Sequence, residues 1–289
     1  MPIQFTHRPG LVIYFTAGDP DLATTRDMAI AAIDNGADVI ELGVPFSDPL
    51  ADGPVIQRAS ERAVARGTRL TDVLSICKEI REARPAAGII LFSYLNPVVR
   101  LGMEAFAKAA KEAGADGVLL TDMIVEEAAE YLKVMHANDL APVFLAAPTS
   151  PDERLKAIAE NSQGFVYAIS RVGITGTQTE LAADARSLVE RLRQFTTLPI
   201  ALGFGISNAE HVRAVGEFAD AAVVGSAIVS LIEKTDPNEV VAAVGKFVAD
   251  LKGGVAAAEE GSPPFRDEAT KGWAAGSTDA ADVGGAESV

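Results

Sequence analysis

Eight short apolar runs alternate with eight longer stretches of helical spacing, and this predicts a closed (β/α)8 barrel of the TIM type. Two further observations support that reading. The runs are apolar on both alternating faces, as parallel strands covered by helices must be. Eight strand–helix repeats fill about 250 residues, the usual size of one such barrel. An open doubly wound sheet is the structural rival, but the first strand–turn lacks the G-x-G-x-x-G fingerprint.

The elements follow in order. The strand candidates are LVIYFTAG from Leu11, DVIELGVPF from Asp38, GIILFSYLN from Gly88 and DGVLLTD from Asp116. Then come APVFLAAPT from Ala141, GFVYAISR from Gly164, LPIALGFG from Leu198 and DAAVVGSAI from Asp220. Between them lie amphipathic stretches such as LATTRDMAIAAIDNG, LTDVLSICKEIREA, MEAFAKAAKEAG and LAADARSLVERLRQF, several opened by Asp or Asn and closed by Gly or Asn. The barrel is expected over residues 1–252. Residues 253–289 are rich in Gly, Ala, Ser and acids, too poor in large apolar residues to build a core, and are expected to be a disordered tail. Phe265 and Trp273 offer that tail two anchors, should it dock.

Composition excludes several classes. The chain has 289 residues, 48% of them hydrophobic, enough for a sizeable core. A net charge of −15 argues against nucleic acid as a partner, since phosphate neutralisation needs clustered Lys and Arg. A single cysteine, Cys77, excludes an internal disulfide and leaves no Cys cluster for a metal. His7, His136 and His211 lack metal-ligand spacing, so no metal is expected. The start, MPIQFTHRPG, has no apolar signal core and no run has the length of a membrane span. A cytoplasmic protein that binds no membrane is expected.

In such barrels reactive groups gather at the C-terminal strand ends. The densest candidate there is ELGVPFSDPLADGP. Strand alternation sends Val39, Glu41 and Gly43 one way and Ile40 and Leu42 the other. If Ile40 and Leu42 pack on helices, Glu41 points into the barrel mouth. A buried carboxylate there is either paired with a neighbouring Arg or hydroxyl or, with its pKa raised by desolvation, used to move protons. Asp52 lies in the loop after the same strand. It is either a turn-former or a second acid reaching back toward Glu41, with separate surroundings and a separate role. Asp48 reads more naturally as a turn residue.

Glycines form the second signal. Gly176, Gly203, Gly205 and Gly225, with Ser226, fall at the ends of strands six, seven and eight, where backbone N–H groups and a helix N-terminus commonly hold phosphate. Tyr14, Tyr167 and Phe204 line an apolar pocket or simply pack the core. RVGITGTQTE has the polarity of a closing lid or of an ordinary surface loop; as a lid it would bring Thr175 to Asp52.

With these motifs the chain resembles the tryptophan synthase alpha subunit family. YFTAGDP, ELGVPFSDPLADGPVIQ, SYLNP, SRVGITG, LGFGIS and VVGSAI occur in order from about Leu11 to Leu251. The resemblance implies a lyase of tryptophan biosynthesis. It would cleave indole-3-glycerol phosphate to indole and glyceraldehyde 3-phosphate. It puts the catalytic Glu at Glu41 and the catalytic Asp at Asp52. Phosphate falls on Gly176, Gly205, Gly225 and Ser226, and indole near Tyr14, Phe204 and Tyr167. It also implies an α2β2 assembly with a beta subunit that carries pyridoxal phosphate, this chain carrying no cofactor. Pro45, Phe46, Asp48, Pro49 and Asn96 would face that partner. The chain departs from the family at Ile13, where many members have Pro, and at Asp122-Met123-Ile124, where many read Asp-Leu-Pro or Asp-Val-Pro. Two other functions compete: a different phosphate-binding barrel, such as an isomerase or cyclase, and a non-catalytic subunit that activates a partner.

Overall fold

A computed structural model describes residues 3–169, 178–203 and 205–259. Glycine and polar caps start and stop the elements much as the sequence expects. The chain begins with β1 (Gly10–Thr16), α1 (Leu22–Asp34) and β2 (Val39–Gly43). Two helices follow, α2 (Pro54–Ala65) and α3 (Leu70–Ala83), then β3 (Gly88–Ser93), α4 (Leu95–Leu101) and α5 (Met103–Glu112). Next come β4 (Gly117–Leu120), α6 (Ala129–Ala137), β5 (Ala141–Val143), β6 (Leu145–Ala146) and α7 (Asp152–Asn161). The series ends with β7 (Val166–Ile169), α8 (Gln178–Leu192), β8 (Ile200–Gly203), α9 (Ala209–Gly216), β9 (Ala221–Val224), α10 (Ser226–Lys234) and α11 (Val240–Glu259).

All strand pairs are parallel, in the order β5-β4-β3-β2-β1-β9-β8-β7-β6. The two ends of that order, β5 and β6, are one strand interrupted at Phe144, whose carbonyl accepts from Tyr167 N–H on β7 (3.2 Å). The sheet therefore closes into the expected barrel, with the eighth strand at β9.

The 2.0-residue strand period sorts the side chains. Val12, Val39, Ile90, Leu119, Val143, Tyr167, Ala201 and Val223 fill the interior, with Ile3 and Phe5 of the N-terminal segment in the same cluster. Leu11, Ile13, Ile40, Leu42, Ile89, Leu91, Leu202 and Val224 face the helices. Ile13 lies on that outer face.

Three helices lie where the sequence reading has none: α2, α4 and α10. Pro54 at the first helical position of α2 is compatible with a helix start, although Pro and Gly there read as loop. Ser226 and the apolar residues after it belong to α10 and do not prolong β9. Helix α11 continues past Lys252, where composition changes, because its last turns are packed: Val255 is buried, and a Cβ on Gly254 would lie 2.1 Å from the Ala209 carbonyl oxygen. The rest of the expected tail, with Phe265 and Trp273, lies outside the described residues.

At the N-terminal end of the strands three aspartates act alike. Asp38, just before β2, accepts from Leu11 N–H of β1 (2.9 Å). Asp116, before β4, accepts from Ile89 N–H of β3 (2.9 Å) and from Arg81 (2.6 Å). Asp220, before β9, accepts from Ile200 N–H of β8 (2.8 Å) and from Arg193. Each clamps its strand to the one before it. Truncating Asp116 would strand a buried N–H and unpair a guanidinium. Asp116→Ala is therefore expected to cost about 3 kcal/mol in urea unfolding. Lys108→Ala, which removes only an exposed i,i+4 pair with Glu112, should change the midpoint little.

Candidate active site

Strand register puts Tyr14 of β1 beside Glu41 of β2, both on the inward parity and both buried. One layer further toward the C-terminal end, the inward positions of β2 and β8 are Gly43 and Gly203. A Cβ on Gly43 would lie 2.3 Å from the Tyr14 hydroxyl, and one on Gly203 would lie 2.9 Å from the Tyr167 ring and hydroxyl. These glycines are needed so that two tyrosines can stand in the mouth. Tyr14 packs edge-on against Phe92 of β3, 5.2 Å between ring centres, and its hydroxyl bonds Thr16 (3.3 Å).

Glu41 is fully buried, and among the described residues neither of its carboxyl oxygens has a hydrogen-bond partner. Burial alone pushes its pKa up to about 8. The pairing with an Arg or hydroxyl that the sequence left open is absent among those residues. Asp52 sits on the loop after β2, half-buried. The Tyr94 hydroxyl donates to its Oδ2 (3.0 Å) and accepts from Ala51 N–H (2.9 Å). Burial raises the Asp52 carboxyl to about 6, with the Tyr94 bond pulling the other way. The two acids are felt at the same tyrosines. Burial first, then the Asp52 and Glu41 charges, raise the Tyr14 pKa; burial, then the same two acids with Glu41 ahead, raise that of Tyr167. Glu41, Asp52, Tyr14 and Tyr167 thus share one electrostatic site at the barrel mouth.

Tyr94 was not among the sequence candidates. Its place in SYLNP, directly after β3, was the signal that could have found it. Its pKa is raised by burial and by Asp52, so the hydroxyl stays a donor. After β9, on the far side of β1 from β2, Gly225 caps α10 without any side-chain cap, and Ser226 begins the helix and is exposed. In the first turn of α10 the Ile228 N–H bonds the Gly225 carbonyl (3.1 Å), and no side chain of the cap residue takes the N–H groups before it. Gly205 adopts φ +42, the left-handed region that favours glycine, and is exposed. Thr175, Gly176 and Phe204 lie outside the described residues. Among those described, no group of three His, Cys, Asp or Glu is placed to hold a metal, and no helix is long and apolar enough to cross a membrane.

On the same end, Asp48 and Asn96 are exposed, whereas Pro45 is buried. Leu50 is 90% exposed, and Val99 and Ile124, after β3 and β4, are exposed too. That is an apolar rim beside the mouth.

A neutral Glu41 is compatible with the fold; an ionised one opposes it. The folded pKa of about 8 exceeds the ordinary carboxylate value, so stability is full at low pH and falls as pH rises through about 8. Glu41→Gln is expected to raise the melting temperature, by more at pH 8 than at pH 5; an equal gain at both would contradict the burial of an unpaired acid.

Comparison with known proteins points one way. The family model for the tryptophan synthase alpha chain matches residues 3–256. A tryptophan synthase alpha chain of Cupriavidus metallidurans is 47% identical over 248 residues, covering 85% of this chain and 92% of the relative. One from Solibacter usitatus is 51% identical over 228 residues, covering 79% and 85%. Among solved structures, a chain of the tryptophan synthase complex from Pyrococcus furiosus superposes with a TM-score of 0.78 at 37% identity, covering 86% of this chain and all of the other.

Proposed function

The chain belongs to the tryptophan synthase alpha chain family, and from that premise we propose that Glu41 and Asp52 carry out the retro-aldol cleavage of indole-3-glycerol phosphate. The observation that carries this reading is the pair of unlike acids at one mouth. One is held neutral by burial and the other is ionised near neutral pH.

The bond between indole C3 and the glycerol carbon cannot break until C3 is protonated, because the aromatic ring otherwise has no place for the electrons. Glu41 starts protonated and can give that proton. Protonation leaves positive character at the ring N–H, which the Asp52 carboxylate accepts and stabilises. As the C–C bond breaks, the neighbouring hydroxyl becomes an aldehyde and returns a proton to Glu41. Protons balance, and the enzyme ends as it began. Tyr14 and Tyr167 line the indole end. The phosphate end is assigned to the α10 N-terminus at Gly225 and Ser226, with Gly205 and Gly176, and its binding fixes the reacting end.

The uncapped α10 and the apolar rim fit this reading. The rim at Leu50, Val99 and Ile124 supports docking of a beta subunit in an α2β2 assembly. The indole product would pass to that subunit, where pyridoxal phosphate resides. A cytoplasmic location accords with such an enzyme.

Glu41→Gln should lower indole release by about 10³-fold with phosphate-ligand binding kept. Substantial residual turnover would remove its acid–base role. Asp52→Asn should lower kcat by about 10²-fold with little change in KM. Because activity needs Asp52 ionised and Glu41 protonated, kcat/KM should be bell-shaped. Its acid limb should lie near 6 and its basic limb near 8, and Asp52→Asn should erase the acid limb alone. Ile124→Asp should weaken co-purification with a beta subunit while indole release by the isolated chain stays unchanged; undiminished co-purification would take Ile124 out of the interface.

A further inference from the structure

Helix α2 lies between the two ends of the proposed site and is bonded toward both. Near its start the Gln57 amide donates to the carbonyls of Asp52 (2.9 Å) and Pro49 (3.3 Å). The buried Ser60 hydroxyl takes the Phe46 N–H (2.8 Å) and donates to the Phe46 carbonyl (3.0 Å). The loop carrying Asp52 is thus held by α2 at three residues.

Further along α2, two arginines reach α10 and the loop after β1. Arg58 forms a two-pronged pair with Glu233 (2.9 and 2.7 Å). Arg62 reaches the same carboxylate (2.9 Å) and grips Asp19, buried in the loop after β1, through two further bonds (2.9 and 2.6 Å). Glu233 occupies the last turn of α10, where the exposed carbonyls disfavour a carboxylate. Its hydrogen bonds to Arg58, then to Arg62, hold its carboxyl down at about 2. The helix end alone gives no reason for an acid there; the brace to α2 does. Partly exposed pairs of this kind add little stability, but fork-shaped guanidinium bonds fix orientation. Closer in, a Cβ on Gly225 would lie 3.8 Å from both Ile56 of α2 and Tyr14, so α2 also packs beside the start of α10.

We propose that Arg62 is a positioning residue that couples the phosphate end of the site to Asp52. Seating a phosphate at Gly225 and Ser226 fixes α10. The Arg58–Glu233–Arg62–Asp19 brace passes that constraint to α2, and Gln57 and Ser60 pass it to the loop that aims Asp52. This rests on the phosphate reading given above. The coupling matters because misplacement by about 1 Å can cost roughly 10²-fold in rate.

The test splits the substrate in two. Indole release from indole-3-glycerol, which lacks the phosphate, is measured on the full chain with and without saturating inorganic phosphate, and phosphate binding is measured by calorimetry. Inorganic phosphate should accelerate the parent about tenfold. It should bind Arg62→Lys with a Kd within about twofold of the parent, yet accelerate that variant by less than about twofold, since Lys keeps the charge and loses the fork. Glu233→Gln removes the brace from the α10 side and should lose the acceleration likewise, so a folding defect in either variant leaves the other to decide. A contact that is merely structural would lower the melting temperature and scale both rates together. An acceleration ratio equal to the parent's in the folded variants overturns the coupling and leaves the phosphate site intact. Phosphate binding to the parent without acceleration also overturns the coupling alone. No phosphate binding to the parent overturns the site and the coupling together.

Discussion

A carboxyl group held inside an apolar barrel with no bonding partner is a standing cost to the fold, and the surroundings of Glu41 follow from it. Strand alternation leaves it no second orientation, because Ile40 and Leu42 already occupy the outer face against the helices. Beneath it the interior is closed by Val39, Ile90 and Val223, with Ile3 and Phe5 in the same apolar cluster. Water and counter-charge are thereby kept away from the acid on that side. The tyrosines beside it stand where they do only because Gly43 and Gly203 lack side chains. A neutral acid at physiological pH is the outcome.

Asp52 is built by the opposite method. It comes from a loop, and its position is set by hydrogen bonds: Tyr94 to its carboxylate and Gln57 to its carbonyl. Partial exposure and the Tyr94 donor keep its pKa below that of Glu41. The two roles in the chemistry therefore come from two kinds of environment on one strand and its following loop, and not from two kinds of residue.

The ends of the barrel divide the remaining work. At the N-terminal end Asp38, Asp116 and Asp220 are satisfied by backbone N–H groups of neighbouring strands, and two of them also by arginines. These bonds tie strand to strand and touch nothing at the mouth. At the C-terminal end Glu41 is left without a partner among the described residues, and α10 starts without a side-chain cap. Rigidity at one end lets the other hold groups that oppose folding.

The inward aim of Glu41 and the eight-strand order were legible because each depends on a two-residue period and a count of repeats, whereas for Tyr14 and Tyr167 the same pattern left pocket lining and core packing open. ELGVPFSDPLADGP and its companion motifs were enough to indicate the family. Helices α2, α4 and α10 were not legible, since proline, glycine and continuous apolar runs there read equally as loop or strand. Nor were Tyr94 or the brace through Arg62, whose partners stand 42, 43 and 171 residues away in sequence. The sequence by itself determined which side chains face inward and the class of fold, because local alternation and hydrophobic pattern fix both. Only the tertiary structure decided that Glu41 finds no partner and that Asp52 finds Tyr94, because hydrogen-bond satisfaction depends on which distant segments the closed barrel brings together.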